Sequence, residues 1–190
     1  PIPDISSLPG QTGGEVEVNL SYPSAAVCST ASDQIPTFSP AGGSFSSSSP
    51  SNLVVNNSSG VIDISESTAG SYTITYTVEG VPSSFAFTIN QQEQSTFSYS
   101  ASSFQQIGTA TPTLASGTTA GGDFSASTGV VINNSTGVID LAASTIGGPY
   151  IITYTTPGTC STSSTFTLSI TALAVEIIDN NFAMEFDGTS

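Results

Sequence analysis

The sequence predicts an all-β fold made of two tandem sandwich modules, and three observations carry that expectation. Apolar and hydroxylated residues alternate with period two, Gly and Pro recur between the alternating runs, and a long stretch of the chain occurs twice. The 190 residues are enough for two small domains, and 37% hydrophobic content is ample for compact β-structure.

The repeat sets the organisation. Asn56-Asn57-Ser58-Ser59-Gly60-Val61-Ile62-Asp63 recurs as Asn133-Asn134-Ser135-Thr136-Gly137-Val138-Ile139-Asp140. Other landmarks keep nearly the same offset. Tyr22 matches Tyr99, Pro36-Thr37 matches Pro112-Thr113, and Gly42-Gly43-Ser44-Phe45 matches Gly121-Gly122-Asp123-Phe124. The run from Ser71 to Thr77 answers that from Pro149 to Thr155. The expected boundaries are a linker over 1–14, a first repeat over 15–91, a second over 92–172, and a strand or further domain start over 173–190.

Within each repeat the strands are read from alternation. Tyr72, Ile74, Tyr76 and Val78 alternate with Ser71, Thr73, Thr75 and Thr77, one face apolar and the other hydroxylated. Phe85, Phe87 and Ile89 continue the pattern after a turn expected at Gly80-Val81-Pro82. Tyr150, Ile152 and Tyr154 repeat it, followed by Phe166, Leu168 and Ile170 beyond Pro157-Gly158. About seven short strands per module is a trimmed version of the immunoglobulin-type sandwich. The Asn-Asn-Ser-(Ser/Thr)-Gly element reads as a reversal: Asn oxygens accept from backbone two residues on, and Gly supplies a positive φ.

Composition excludes several function classes. There is no Lys, Arg, His or Trp, and the formal charge is −14. Phosphate neutralisation requires cations, so nucleic acid, anionic membrane surfaces and ATP-type ligands are excluded as partners. Without His or Lys no Ser-His-Asp, Cys-His or Ser-Lys nucleophile can be assembled, and two cysteines do not make a zinc site. A lysine–asparagine crosslink is impossible for the same reason. The acids are scattered singly, which argues against a glycosidase pair. No enzyme activity and no cofactor are expected. Calcium is the one metal the composition leaves open, with Asp63 and Asp140 as candidate ligands and Glu15, Glu17, Glu176 and Asp179 near the module boundaries. An Asp following a Gly turn is equally a structural residue. The Asn-x-Ser/Thr sites at Asn19, Asn56, Asn57, Asn133 and Asn134 are read as turn chemistry. No stretch has the apolar length of a membrane span, and no signal peptide is evident. Pro1-Ile2-Pro3 is read as an internal start within a longer precursor.

The order Gly-Gly-x-Phe, Val-x-Asn-x-Ser-(Ser/Thr)-Gly-Val-Ile-Asp-(Ile/Leu), Tyr-x-Ile-Thr-Tyr-Thr resembles an extracellular repeat of very long Bacteroidota surface proteins, the gliding-motility adhesins among them. The resemblance covers about residues 15–172. It implies export to the cell surface, tandem arrays and a role in adhesion or gliding. The implied partners are neighbouring domains of the same chain, with surface polysaccharide or another surface protein as further candidates. The tail Asn181–Ser190 resembles the opening strand of a laminin-G or concanavalin-like lectin domain, with a terminal strand or linker as the plain alternative.

Repeats of this family often carry one Cys soon after the first strand and another in the last hairpin. Here Cys28 stands in the first position and Cys160 in the second, with Gln105 and Pro82 read as their counterparts in the other module. Sandwich geometry places both near the junction, so a Cys28–Cys160 disulfide is expected. The rival is two unpaired thiols buried as small apolar residues. The expected function is a non-catalytic, protease-resistant, acidic spacer. A binding module acting through the repeats, or a filament-forming subunit, is the alternative.

Overall fold

The computed structural model describes residues 17–174 and divides between Gln92 and Glu93 into two compact units. The expected linker over 1–14 lies outside the described residues, as does the expected C-terminal strand or domain start apart from Leu173 and Ala174. The first unit contains β1 (Asn19–Ser21), β2 (Ala26–Cys28), β3 (Thr37–Ser39), β4 (Ser44–Ser47), β5 (Val54–Val55), β6 (Ile62–Asp63), β7 (Gly70–Val78) and β8 (Val81–Asn90). The second contains β9 (Phe97–Ser98), β10 (Ser103–Gln105), β11 (Thr109–Ala110), β12 (Thr113–Leu114), β13 (Asp123–Ala126), β14 (Val131–Ile132), β15 (Ile139–Asp140), β16 (Gly147–Thr155) and β17 (Ser163–Thr171). The all-β immunoglobulin-like sandwich is therefore present twice. Among the described residues, eight and nine strands replace the expected seven, because several are two- or three-residue pairs too short to show a periodicity.

Each unit has one four-stranded sheet, in the order β2-β8-β7-β4 and β10-β17-β16-β13. The opposite layer is assembled from the short pairs β1-β3 and β5-β6, and from β9-β12 and β11-β15-β14. The period-two expectation holds where the strands are long. Tyr72, Ile74, Tyr76 and Val78 are buried, as are Ile152 and Tyr154, while Tyr150 is only half-buried. Phe87, Ile89, Leu168 and Ile170 meet them from the neighbouring strand, and Ile62 and Ile139 enter from the opposite layer. The other side of the long hairpin is hydroxylated, with Thr75 Oγ1 and Ser84 Oγ 3.1 Å apart and Thr155 Oγ1 and Ser163 Oγ 3.2 Å apart.

Two strand placements depart from a simple chain of hairpins. β2 runs parallel to β8, Cys28 opposite Asn90, and β10 runs parallel to β17, Gln105 opposite Thr171. The chain crosses from one layer to the other between β1 and β2, so Cys28 ends the second strand rather than following the first. Gln105 is its counterpart, as expected.

The terminal hairpins differ between the units. The β7–β8 turn is Glu79-Gly80, with φ of 49° and 85°, the positive values that a two-residue hairpin of native twist requires. Val81 and Pro82 are already in β8, opposite Val78 and Thr77, so the turn lies earlier than Gly80-Val81-Pro82. In the second unit Thr155 pairs with Ser163, and the Thr156 and Thr162 backbones bond across a longer loop. Ser163 is thus the counterpart of Pro82. Cys160 lies in the lengthened loop and has no counterpart in the first unit, which corrects the expected Pro82 match. The offset between the repeats changes inside this loop, where no alternation marks the insertion.

Candidate functional site

The Asn-Asn-Ser-(Ser/Thr)-Gly hairpins are built as the residue types dictate. Asn56 Oδ1 accepts the Ser58 and Ser59 amides at 3.0 and 2.9 Å, and Asn133 Oδ1 accepts those of Ser135 and Thr136 at 3.1 and 3.0 Å. The second Asn of the doublet serves a different purpose. Asn57 Nδ2 donates to the Phe45 carbonyl and the Asn57 carbonyl accepts the Phe45 amide, so the hairpin covers the outer edge of β4. The Asn134 carbonyl does the same for Phe124 in β13.

Gly60 and Gly137 are constrained twice over. Both have φ of 71°, and a Cβ at either would stand 2.5 Å from the Phe45 ring or 2.8 Å from the Phe124 ring. Their carbonyls accept the buried hydroxyls of Tyr22 at 2.6 Å and Tyr99 at 2.5 Å. Burial pushes both phenols well above the ordinary tyrosine range. Sequence reasoning did not find these ties, although an equal Tyr-to-Gly separation of 38 residues in both repeats was there to be read.

The candidate calcium ligands Asp63 and Asp140 each accept hydrogen bonds from the residues just after them in the chain. Asp63 Oδ1 accepts the Ser65 hydroxyl at 2.8 Å and the Glu66 amide at 3.1 Å. The Ser65 hydroxyl, then the Glu66 amide, hold this exposed carboxyl below its usual range. Asp140 Oδ1 accepts the Ala143 amide at 3.0 Å. Among the described residues no three His, Cys, Asp or Glu side chains cluster as metal ligands would. Glu15, Glu176 and Asp179 lie outside the described residues, and Glu17 is exposed.

Beside each hairpin lies a shallow groove of repeated composition. The first, about 390 Å³, is lined by Asp33, Val54, Val55, Asn56, Ser59, Val61 and Asp63. The second, about 500 Å³, is lined by Thr109, Val131, Ile132, Asn133, Thr136, Val138 and Asp140. Aromatic side chains line neither. Phe38, at 36% the most exposed aromatic among the described residues, packs on Phe45 and Tyr76 with both ring centroids 4.9 Å away.

Neither cysteine is free, and both are disulfide-bonded. In the first unit, Cys28 stands opposite Asn90, the last residue of β8. The next residue, Ser29, donates its amide to the Asn90 carbonyl and accepts the Gln92 amide on its hydroxyl. Thr30 Oγ1 donates to Gln92 Oε1 at 2.8 Å. In the second unit, the buried Cys160 offers its carbonyl to the Glu93 amide at 3.1 Å. Each cysteine is therefore fastened, within its own unit, to the end that the chain uses to leave or enter that unit.

No family model matches the chain, and no curated protein does. Solved structures with a related fold are numerous but distant. Domains 4 and 5 of the S-layer protein SbsC share 14% identity at a TM-score of 0.34, over 82% of this chain and 98% of that one. A human CDH23 EC21-23 fragment shares 9% at 0.37, over 78% of this chain and 66% of that one. The insect immune protein hemolin shares 11% at 0.40, over 86% of this chain and 49% of that one. At TM-scores this low the likenesses carry nothing about the role of the chain.

Proposed function

We propose that the chain is a non-catalytic spacer of a long extracellular surface protein, with its two modules clamped by a Cys28–Cys160 disulfide. The observation that carries this reading is the placement of the cysteines. Cys28 is fastened beside Asn90, Cys160 beside Glu93, and these anchor residues are only a few positions apart in the chain. A crosslink there turns a single-strand link into a double connection and resists bending, which is the property a stalk needs. Disulfides of this kind persist in oxidising compartments, which favours an exported location.

Further features favour a spacer. Most described aromatics pack into the two cores, Phe38 being the exposed exception, and the outward faces of the long hairpins are mainly hydroxylated, apart from the exposed Ile151. The absence of Lys and Arg removes every trypsin-type cleavage site, and a charge of −14 opposes lateral sticking. The resemblance to gliding-motility adhesin repeats supplies the biological setting, in which tandem spacers project a terminal binding domain from the cell.

A second reading, in which the repeats themselves bind polysaccharide or another surface protein, is favoured by one observation: the grooves beside the two hairpins recur with matching lining residues.

The test is a thiol count on denatured, unreduced protein by alkylation and intact mass. The clamp requires no label and a monomeric mass. Two labelled thiols would overturn it, and a disulfide-linked dimer would replace it with a filament-forming subunit.

A further inference from the structure

The loop that carries Cys160 spans Pro157–Ser161 between the bonded backbones of Thr156 and Thr162. It is longer than the two-residue turn of the first unit. Glu93 is one of its anchors. The Glu93 amide donates to the Cys160 carbonyl at 3.1 Å, and the Glu93 carbonyl accepts the Thr162 hydroxyl at 3.0 Å. The Glu93 carboxylate accepts the Gly158 amide at 3.2 Å. The approach is so close that a Cβ on Gly158 would run into Glu93 Oε1, so a larger residue there must displace the carboxylate from its present seat.

The geometry points to Glu93 as a positioning residue that holds the Cys160 loop in the conformation from which the disulfide forms, with Gly158 as its receptor. The inference rests on the clamp reading above. Its physical basis is chain entropy. When a dithiol reduces the disulfide, the reagent gives up two electrons and two protons and closes to its own cyclic disulfide, and Cys28 and Cys160 become thiols. A loop without this anchor gains conformational freedom in the reduced protein that the oxidised protein denies it. Losing the anchor therefore favours reduction. With Glu93 in place the loop stays ordered in both states and the effective concentration of the thiols stays high.

The experiment is equilibration of the full chain with dithiothreitol, with the oxidised fraction read by alkylation and intact mass. Glu93→Ala should shift the equilibrium constant roughly fivefold toward the dithiol, the size of one ordinary net hydrogen bond. Gly158→Ala should produce a similar shift by expelling the carboxylate, and the double variant should add little beyond either single one. Glu93→Gln, which retains an acceptor oxygen, should restore most of the wild-type value. An unchanged equilibrium in Glu93→Ala, or additive effects in the double variant, would overturn the positioning role while leaving the clamp intact. Thiols free in the unreduced wild type would overturn the clamp itself, so the two failures are told apart. Near-ultraviolet circular dichroism of each oxidised variant establishes that the tyrosine-rich core is folded, and Gly158→Ala, which leaves the Glu93 backbone bonds available, tests the role if Glu93→Ala does not fold.

Discussion

Substituting Gly60 separates backbone strain from core crowding, because Gly80 offers a control in the same unit. Both glycines have positive φ, 71° and 85°. A Cβ at Gly80 meets nothing within 4 Å, whereas one at Gly60 stands 2.5–2.8 Å from three atoms of the Phe45 ring. That ring cannot yield freely, being 2% exposed and packed 4.5 Å from Tyr76 and 4.9 Å from Phe38 between centroids. Gly80→Ala should cost only the left-handed backbone penalty, about 1–2 kcal/mol. Gly60→Ala should cost that and a further ~1–3 kcal/mol for overpacking. Urea unfolding of both variants, followed by a probe of the first unit, measures the difference. With a slope of about 1–2 kcal/mol per molar for so small a domain, the two midpoints should differ by roughly 1 M. Equal midpoints would refute the argument, showing that the Gly-to-Phe approach is relieved at no cost and that φ alone explains the glycine. Gly137, whose Cβ would meet Pro112 and Phe124 at 2.7 and 2.8 Å, should follow Gly60 and not Gly80.

Other outcomes follow from the same contacts. Tyr22 and Tyr99 have folded-state pKa values raised by burial, so they stabilise the fold fully below the ordinary value of ~10 and lose that contribution as pH rises beyond it. Alkaline titration at 295 nm should therefore leave these two phenols protonated until the units unfold; smooth ionisation of all six tyrosines at an ordinary pKa would refute it. Asp63 has the opposite sign: its depressed pKa stabilises the first unit above the unfolded value of ~4, and the contribution disappears as pH falls through the folded value. Asp63→Asn should flatten the acid limb of the unfolding profile, and an unchanged limb would show that its bonds to Ser65 and Glu66 do not discriminate the charged form. The spacer reading assigns no work to a metal, so chelator and millimolar calcium should leave the melting midpoint unchanged. A rise with calcium that Asp63→Asn or Asp140→Asn abolishes would instead make those residues ligands.

Local chemistry was legible in the chain wherever the determining residues are neighbours. The alternation from Ser71 to Val78 predicts a strand with one buried face because successive side chains point to opposite sides of a sheet, whatever it packs against. Asn56, Asn133, Gly60 and Gly137 announce a reversal because their side-chain acceptors and positive φ act within three residues. The doubling of the module followed from self-similarity alone. Tertiary structure decided what depends on residues far apart in the chain. The parallel pairing of β2 with β8, the tie of Tyr22 to Gly60, and the seating of Glu93 against Gly158 join positions 38 to 65 residues apart, and no local signal specifies such partners. The misplaced match between Pro82 and Cys160 has the same origin. Loop closure tolerates added residues at little energetic cost, so the sequence carries no periodic mark of the longer hairpin, and only the pairing of Thr155 with Ser163 reveals where the extra residues lie.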